Sequence, residues 1–141
     1  MSSWRDVLGA HRNRLRWERG AAPEEIADAE AALGVRLPVD LRALLSEADG
    51  FYDTESQYAY AWDLRRMVVE NTRHWQDDDL PLDHDLLAFG ADGSGTGIFC
   101  LSLEANTSAV YYWNFIESER REIAPDLGQF WTGWLNGTLT V

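Results

Sequence analysis

Residues 23–50, PEEIADAEAALGVRLPVDLRALLSEADG, decide the fold. Two short helices are written there, joined by a Leu37-Pro38 corner. Pro23 suits the first helical position, where a missing N–H costs nothing. Glu24 and Glu25 place negative charge at the positive end of the helix dipole. Ile26, Ala29, Glu30 and Leu33 recur at i, i+3, i+4 and i+7, which makes one narrow, largely apolar face. Gly34 is the expected stop. Pro38 holds Leu37 extended and lets a second helix begin, with Leu41, Leu44, Leu45 and Ala48 as its apolar stripe. Asp49-Gly50 predicts a turn that closes it.

On the N-terminal side, residues 1–20 predict a basic amphipathic helix. Ser3 would cap it with Asp6 as partner, and Trp4, Val7, Leu8, His11 and Leu15 would share its apolar face. Docking on the core is favoured over a membrane surface, because the rest of the chain is acidic and an anionic bilayer would repel it. Glu18 to Ala22 reads as a linker. On the C-terminal side, FYDTESQYAYAW (51–62) predicts a loop leading into an edge strand. Residues 63–71 predict a third helix, capped by Asp63, with Leu64, Met67, Val68 and Asn71 on one face. The segment 77–85, DDDLPLDHD, is a loop by composition.

From Leu86 the pattern turns to strands. LLAF is a short apolar run, IFCLSL is apolar on both sides, and AVYYWNF follows a turn at 106–108 to form a hairpin. Arg121 to Ala124 adds a short strand. Asp126 or Pro125 opens a final helix with Leu127, Phe130, Trp131, Trp134 and Leu135 on its apolar side, stopped by Gly137. Helices precede a strand cluster and a helix follows it, without βαβ alternation. That order predicts an α+β fold, with N-terminal helices packed on a mostly antiparallel sheet and a C-terminal helix.

A chain of 141 residues is expected to form one domain, 1–141. Hydrophobic residues make up 45% and aromatic ones 12%, which is enough for a packed core. No apolar run approaches the ~18–20 residues that span a bilayer, and the first residues lack a signal-peptide core. Cys100 is the single cysteine, so no internal disulfide forms. These features predict a cytoplasmic protein. Acidic residues number 24 against 12 basic, a net charge of −12. Every basic residue is Arg, which together with the high Ala content suggests a GC-rich bacterial genome. Such a surface repels nucleic-acid phosphates and attracts basic protein partners.

The glycine run Gly90, Gly93, Gly95 and Gly97 resembles a phosphate cradle. A strand follows it, however, where a phosphate site needs a helix N-terminus, so a hairpin turn is predicted. Asp77, Asp78, Asp79, Asp83 and Asp85, with His84, crowd one loop. Calcium loops need a glycine at their sharp bend, and this segment holds Pro81 instead, so no metal site is assigned. The loop is either a solvated charged segment or a phosphate-mimicking patch that draws a basic partner. His11, His74 and His84 have no Cys or Ser partner at a recognisable spacing. No catalytic residue and no cofactor site are therefore predicted. Cys100 is expected in the core, as are Trp62, Trp113, Trp131 and Trp134. Tyr52, Tyr58, Tyr60 and Trp75 flank polar loops, where they either pack beneath the loop or anchor an interface.

Four blocks in order resemble the SUKH superfamily, the SMI/KNR-type family of cell-wall regulators and immunity proteins. They are Glu30-x-x-Leu33-Gly34-x-x-Leu37-Pro38-x-Asp40-Leu41-Arg42 continuing to Asp49-Gly50; Trp62-Asp63-Leu64 leading to Glu70-Asn71; Phe89-Gly90-x-Asp92-Gly93-x-Gly95; and Val110-Tyr111-x-Trp113 with Phe130-x-x-Trp134-Leu135. The resemblance covers residues 23–136. At Asp49 the family more often shows Asn. The resemblance implies binding and not catalysis: an immunity protein that neutralises a cognate polymorphic toxin, often a nuclease, by binding its toxin domain. The alternative it implies is a regulator of cell-wall synthesis or a scaffold with no toxin partner. On the toxin reading the partner is basic, and the expected contacts are Asp77, Asp78, Asp79, Asp83, Asp85, Asp53, Glu55 and Trp75, with Asp49 and Asp92 at neighbouring turns.

Overall fold

A computed structural model describes residues 4–9, 15–53, 59–92, 94–104 and 107–139. The elements run α1 (Trp4–Gly9), β1 (Leu15–Arg19), α2 (Pro23–Leu33), α3 (Val39–Glu47), β2 (Ala48–Asp53), β3 (Ala59–Ala61), α4 (Leu64–Trp75), β4 (Leu86–Gly90), β5 (Gly97–Ser102), β6 (Val110–Asn114), β7 (Glu119–Ala124) and α5 (Leu127–Leu135). Two antiparallel sheets result, ordered β1-β2-β3 and β4-β5-β6-β7. The α+β expectation holds, including the C-terminal helix.

The stretch 23–50 folds largely as its sequence dictates. Ile26, Ala29 and Leu33 of α2 are buried, and Gly34 caps it in the left-handed region at φ 76°. Glu30 does not simply line the apolar face. Its Oε2 accepts the Leu37 N–H at 2.7 Å and an Arg42 Nη2 proton at 3.2 Å, so one carboxylate fastens the Leu37-Pro38 corner to both helices. Leu41, Leu44 and Leu45 of α3 fill the core. The predicted Asp49-Gly50 turn is not a turn. The chain leaves α3 at Ala48 in extended geometry and runs straight into β2. Gly50 is needed there because φ is 87° and a Cβ would lie 2.7 Å from the Asp63 N.

The single basic helix expected over residues 1–20 is also corrected. The described helix covers Trp4–Gly9, and Leu15–Arg19 is a strand that pairs Trp17 with Phe51 and Leu15 with Asp53. Leu15 and Trp17 turn inward while Arg16 and Arg19 are exposed. Arg16 outward between two inward residues is the alternation of a strand, and the bulge between Trp17 and Arg19 breaks it before Arg19. Ser3 and His11 lie outside the described residues. α1 docks on α3, where the Trp4 N–H donates to Glu47 Oε2 at 2.8 Å.

Residues 51–53, expected as loop, belong to β2, and the third helix runs on to Trp75. Asp63 caps it as expected, accepting the Arg66 N–H at 2.8 Å. β5 is buried at every position, Cys100 included. α5, capped by Asp126 through the Gln129 N–H at 2.7 Å, ties the sheets together. Trp131 meets Phe51 of the first sheet at a centroid distance of 4.7 Å, and Phe130 meets Phe99 of the second at 4.7 Å, both edge to face.

Candidate protein-interaction surface

The acidic loop between α4 and β4 divides into two parts. Asp77 spends its carboxylate locally: Oδ1 accepts the N–H groups of Asp79 at 2.9 Å and Leu80 at 2.8 Å. Those bonds hold its pKa below the usual carboxylate range. Asp78 and Asp79 are exposed. Leu82, between the charges, is buried, and its N–H donates to the His74 carbonyl at 2.9 Å. This apolar pin keeps the loop on the end of α4.

Asp83 and Asp85 face Arg120 of β7. The guanidinium gives Nη1 to Asp85 Oδ2 at 2.9 Å and Nη2 to Asp85 Oδ1 at 2.6 Å, while Nε reaches Asp83 Oδ2 at 3.2 Å. The fork on Asp85 is bidentate, which is the strong geometry for this pair. It lowers the Asp85 pKa and raises that of Arg120. The same guanidinium lies 5.7 Å from the centroid of the Tyr111 ring. Two of the five predicted carboxylates are therefore tied to the chain's own sheet.

Trp75 is half-buried. Its Nε1–H donates to the Leu86 carbonyl at 3.0 Å, and its ring stacks near His84 with centroids 6.4 Å apart. It braces the loop against β4. His74 packs on Phe115 at 5.0 Å, with Nε2 3.4 Å from Glu70 Oε2. Burial, reinforced by Arg73, lowers its pKa against the opposing pull of Glu70. Asp49 Oδ1 accepts the Leu64 N–H at 2.9 Å and so helps cap α4 from the neighbouring strand. Asp92 accepts both the N–H and the hydroxyl of Ser94, at 3.0 and 2.7 Å. Asp53 ends β2 opposite Leu15 of β1, and Glu55 lies outside the described residues, as does Tyr58. The structure thus brings Asp77, Asp78, Asp79, Asp83, Asp85 and Trp75 into one region. Asp49 stands apart as a structural cap.

Two features escaped the sequence reading. One is the Arg120 clamp, which joins residues some 35 positions apart and leaves no local signal. The other is Asn71, fully buried on the inner face of α4. Its Oδ1 accepts the Ala88 N–H at 2.7 Å, and its Nδ2 donates to the carbonyls of Ala88 at 2.8 Å and Met67 at 2.9 Å. The side-chain amide stands in for a neighbouring strand along the outer edge of β4. An amide on an otherwise apolar helical face was the available signal.

Two clefts among the described residues carry both signs of charge. One of about 590 Å³ lies between the Leu37-Pro38 corner and the end of β5, with Arg36 and Arg42 facing Asp40 and Glu104. Another, of about 380 Å³, sits beside the β6–β7 hairpin. Among the described residues, no group of three or more His, Cys, Asp or Glu side chains is placed to hold a metal ion, and no helix is long and apolar enough to cross a membrane. Burial raises the Cys100 thiol far above its usual pKa, which removes it as a nucleophile.

These features define an α+β protein whose charged side chains largely serve caps, clamps and surface. Residues 20–133 match the SMI1 / KNR4 family (SUKH-1), and the chain belongs to that family, which includes immunity proteins and cell-wall regulators. No curated protein matches the chain. The family signature quoted from the sequence now has physical content: Glu30, Leu37 and Arg42 form the corner staple, and Asn71 caps the sheet edge.

Proposed function

We propose that this protein is a non-catalytic immunity protein that binds the basic toxin domain of a cognate polymorphic toxin and blocks its active site. The observation that carries the reading is the family match over residues 20–133. A net charge of −12 supports a basic partner. A nuclease active site must itself be positively charged to hold phosphates, so carboxylates on this surface would both steer encounter and compete with substrate. The exposed Asp78 and Asp79 are offered for that role. Asp83 and Asp85 serve it less directly, because Arg120 already neutralises part of their charge. Co-expression with the toxin domain encoded next to this gene tests the proposal. Rescue of growth and co-purification at stoichiometric ratio are expected; loss of both, with each protein folded, refutes it.

A further inference from the structure

The two edges of the sheet β4-β5-β6-β7 are treated differently. On the outer edge of β4, Asn71 fills both the N–H and the carbonyl of Ala88, Trp75 fills the carbonyl of Leu86, and the Trp62 N–H fills the carbonyl of Phe89 at 2.9 Å. That edge is closed. The opposite edge is β7, which pairs with β6 alone, and among the described residues no strand lies on its far side. Glu119 to Glu122 keep a regular register with Asn114 to Tyr111, before the bulge that follows. An edge strand of this kind presents N–H and C=O groups at alternate residues, a template for another strand.

The chemistry beside this edge selects its occupant. Arg120 turns aside into Asp83 and Asp85, so its charge is spent. Glu117, Glu119 and Glu122 are exposed, against exposed Arg121. Ile116 at the hairpin tip is 77% exposed and borders the cleft of about 380 Å³, an apolar contact next to the open ladder. A second copy of this chain would bring the same excess of carboxylates to the edge, and like charges across a strand pair repel. A cationic strand would not.

We infer that β7 accepts an extended, positively charged segment of a protein partner as a fifth strand of the sheet. This inference deepens the binding reading above and rests on it. Backbone hydrogen bonds supply the attachment, and the flanking glutamates choose a basic sequence. It also shifts the expected contact surface from the acidic loop to the hairpin beside it.

The test uses the full chain and a capped peptide of about eight residues alternating arginine and valine, long enough for one strand. Amide chemical shifts and hydrogen exchange should locate its binding at Glu119–Ala124. A peptide of the same charge with two interior prolines should bind about tenfold more weakly or worse, because it cannot add to a ladder. The double variant E119K/E122K, exposed at both positions, should also lose about tenfold while its unfolding curve stays put. No binding at about 1 mM peptide, shifts centred on residues 77–80, equal binding of the proline peptide, or pairing of two copies through β7 would each overturn the inference. Growth rescue separates it from the toxin reading. Rescue by the wild type that survives E119K/E122K overturns the edge and leaves the toxin reading standing. Absence of rescue with peptide captured at β7 supports the edge and removes the toxin reading.

Discussion

Asn71→Leu is the sharpest perturbation of this fold. Leucine has the branched skeleton of asparagine, though it is bulkier, and it suits both a helix and a core, so apolar burial alone predicts a favourable change. The hydrogen bonds predict the opposite. Asn71 is fully buried and fills the N–H and carbonyl of Ala88. The third partner, Met67 O, keeps its ordinary helical bond and is not orphaned. Two buried backbone groups on β4 lose their partners, and each such loss costs about 1–3 kcal/mol. The expected destabilisation is therefore about 2–6 kcal/mol, a large part of the ~5–15 kcal/mol that holds a domain of this size. Urea unfolding followed by tryptophan fluorescence measures it, with an unchanged m-value as the check that both states remain comparable. A companion variant, Asn71→Asp, adds a pH signature. The buried carboxyl faces two carbonyls, so its folded pKa must rise above the unfolded value of about 3.9. The protonated acid retains a donor. The variant should be least damaged below about pH 4 and lose stability as pH rises through neutrality. Asn71→Leu within about 0.5 kcal/mol of wild type would refute the claim that this amide closes the sheet edge.

Other outcomes follow from the same contacts. Arg120→Gln should cost only about 1 kcal/mol, because all three charged groups of the clamp are partly exposed, and the loss should shrink at high salt; urea titrations at two ionic strengths check this. Gly20→Ala should destabilise by about 1–3 kcal/mol or more, since a Cβ at Gly20 would overlap the Ser46 carbonyl; thermal unfolding reads the change. The wild-type protein should weaken on acidification in two stages. His74 has its folded pKa below the ordinary 6.5, so its contribution is full above that value and falls as pH drops through it. Asp77 and Asp85 have folded pKa values below 3.8, so theirs persists until about pH 4 and is lost below. His74→Phe should erase the first stage only, as measured by urea midpoints from pH 7 to pH 5.

The parts of the fold that were legible are those where one local rule acts. The Pro23 start, the Gly34 stop, the Asp63 and Asp126 caps and the apolar strand of β5 each depend on a few neighbouring residues. Leu15–Arg19 is not legible because the helical spacing of Trp4, Val7, Leu8 and His11 continues to Leu15, and only pairing with the distant β2 decides for a strand. Asp49-Gly50 is ambiguous for a related reason. Asp-Gly is a turn signal by itself, yet here the positive φ of Gly50 lets β2 pass close to the backbone of Asp63. Of the candidate contacts, the position of the acidic loop was legible from composition. The division of its carboxylates was not, because Arg120 reaches them from a strand 35 residues away.

The two sheet edges explain how such a scaffold can keep one shape while its surface charge changes. Closing β4 takes Asn71, Trp75 and Trp62, all tied to buried backbone, and a change at Asn71 strands groups that water cannot reach. Those residues are fixed by folding. The β7 edge borders water, so substitutions at Glu119, Arg121 or Glu122 leave no orphaned core group and should fall within about 0.5 kcal/mol of neutral. Charge at these positions can therefore change without endangering the sheet, while the backbone ladder stays available to any compatible strand. On the edge-strand proposal, the main chain supplies attachment and the flanking glutamates supply the choice of partner. The corner staple of Glu30 and Arg42 is likewise fixed by folding, which is why the stretch that reveals the fold says little about what binds.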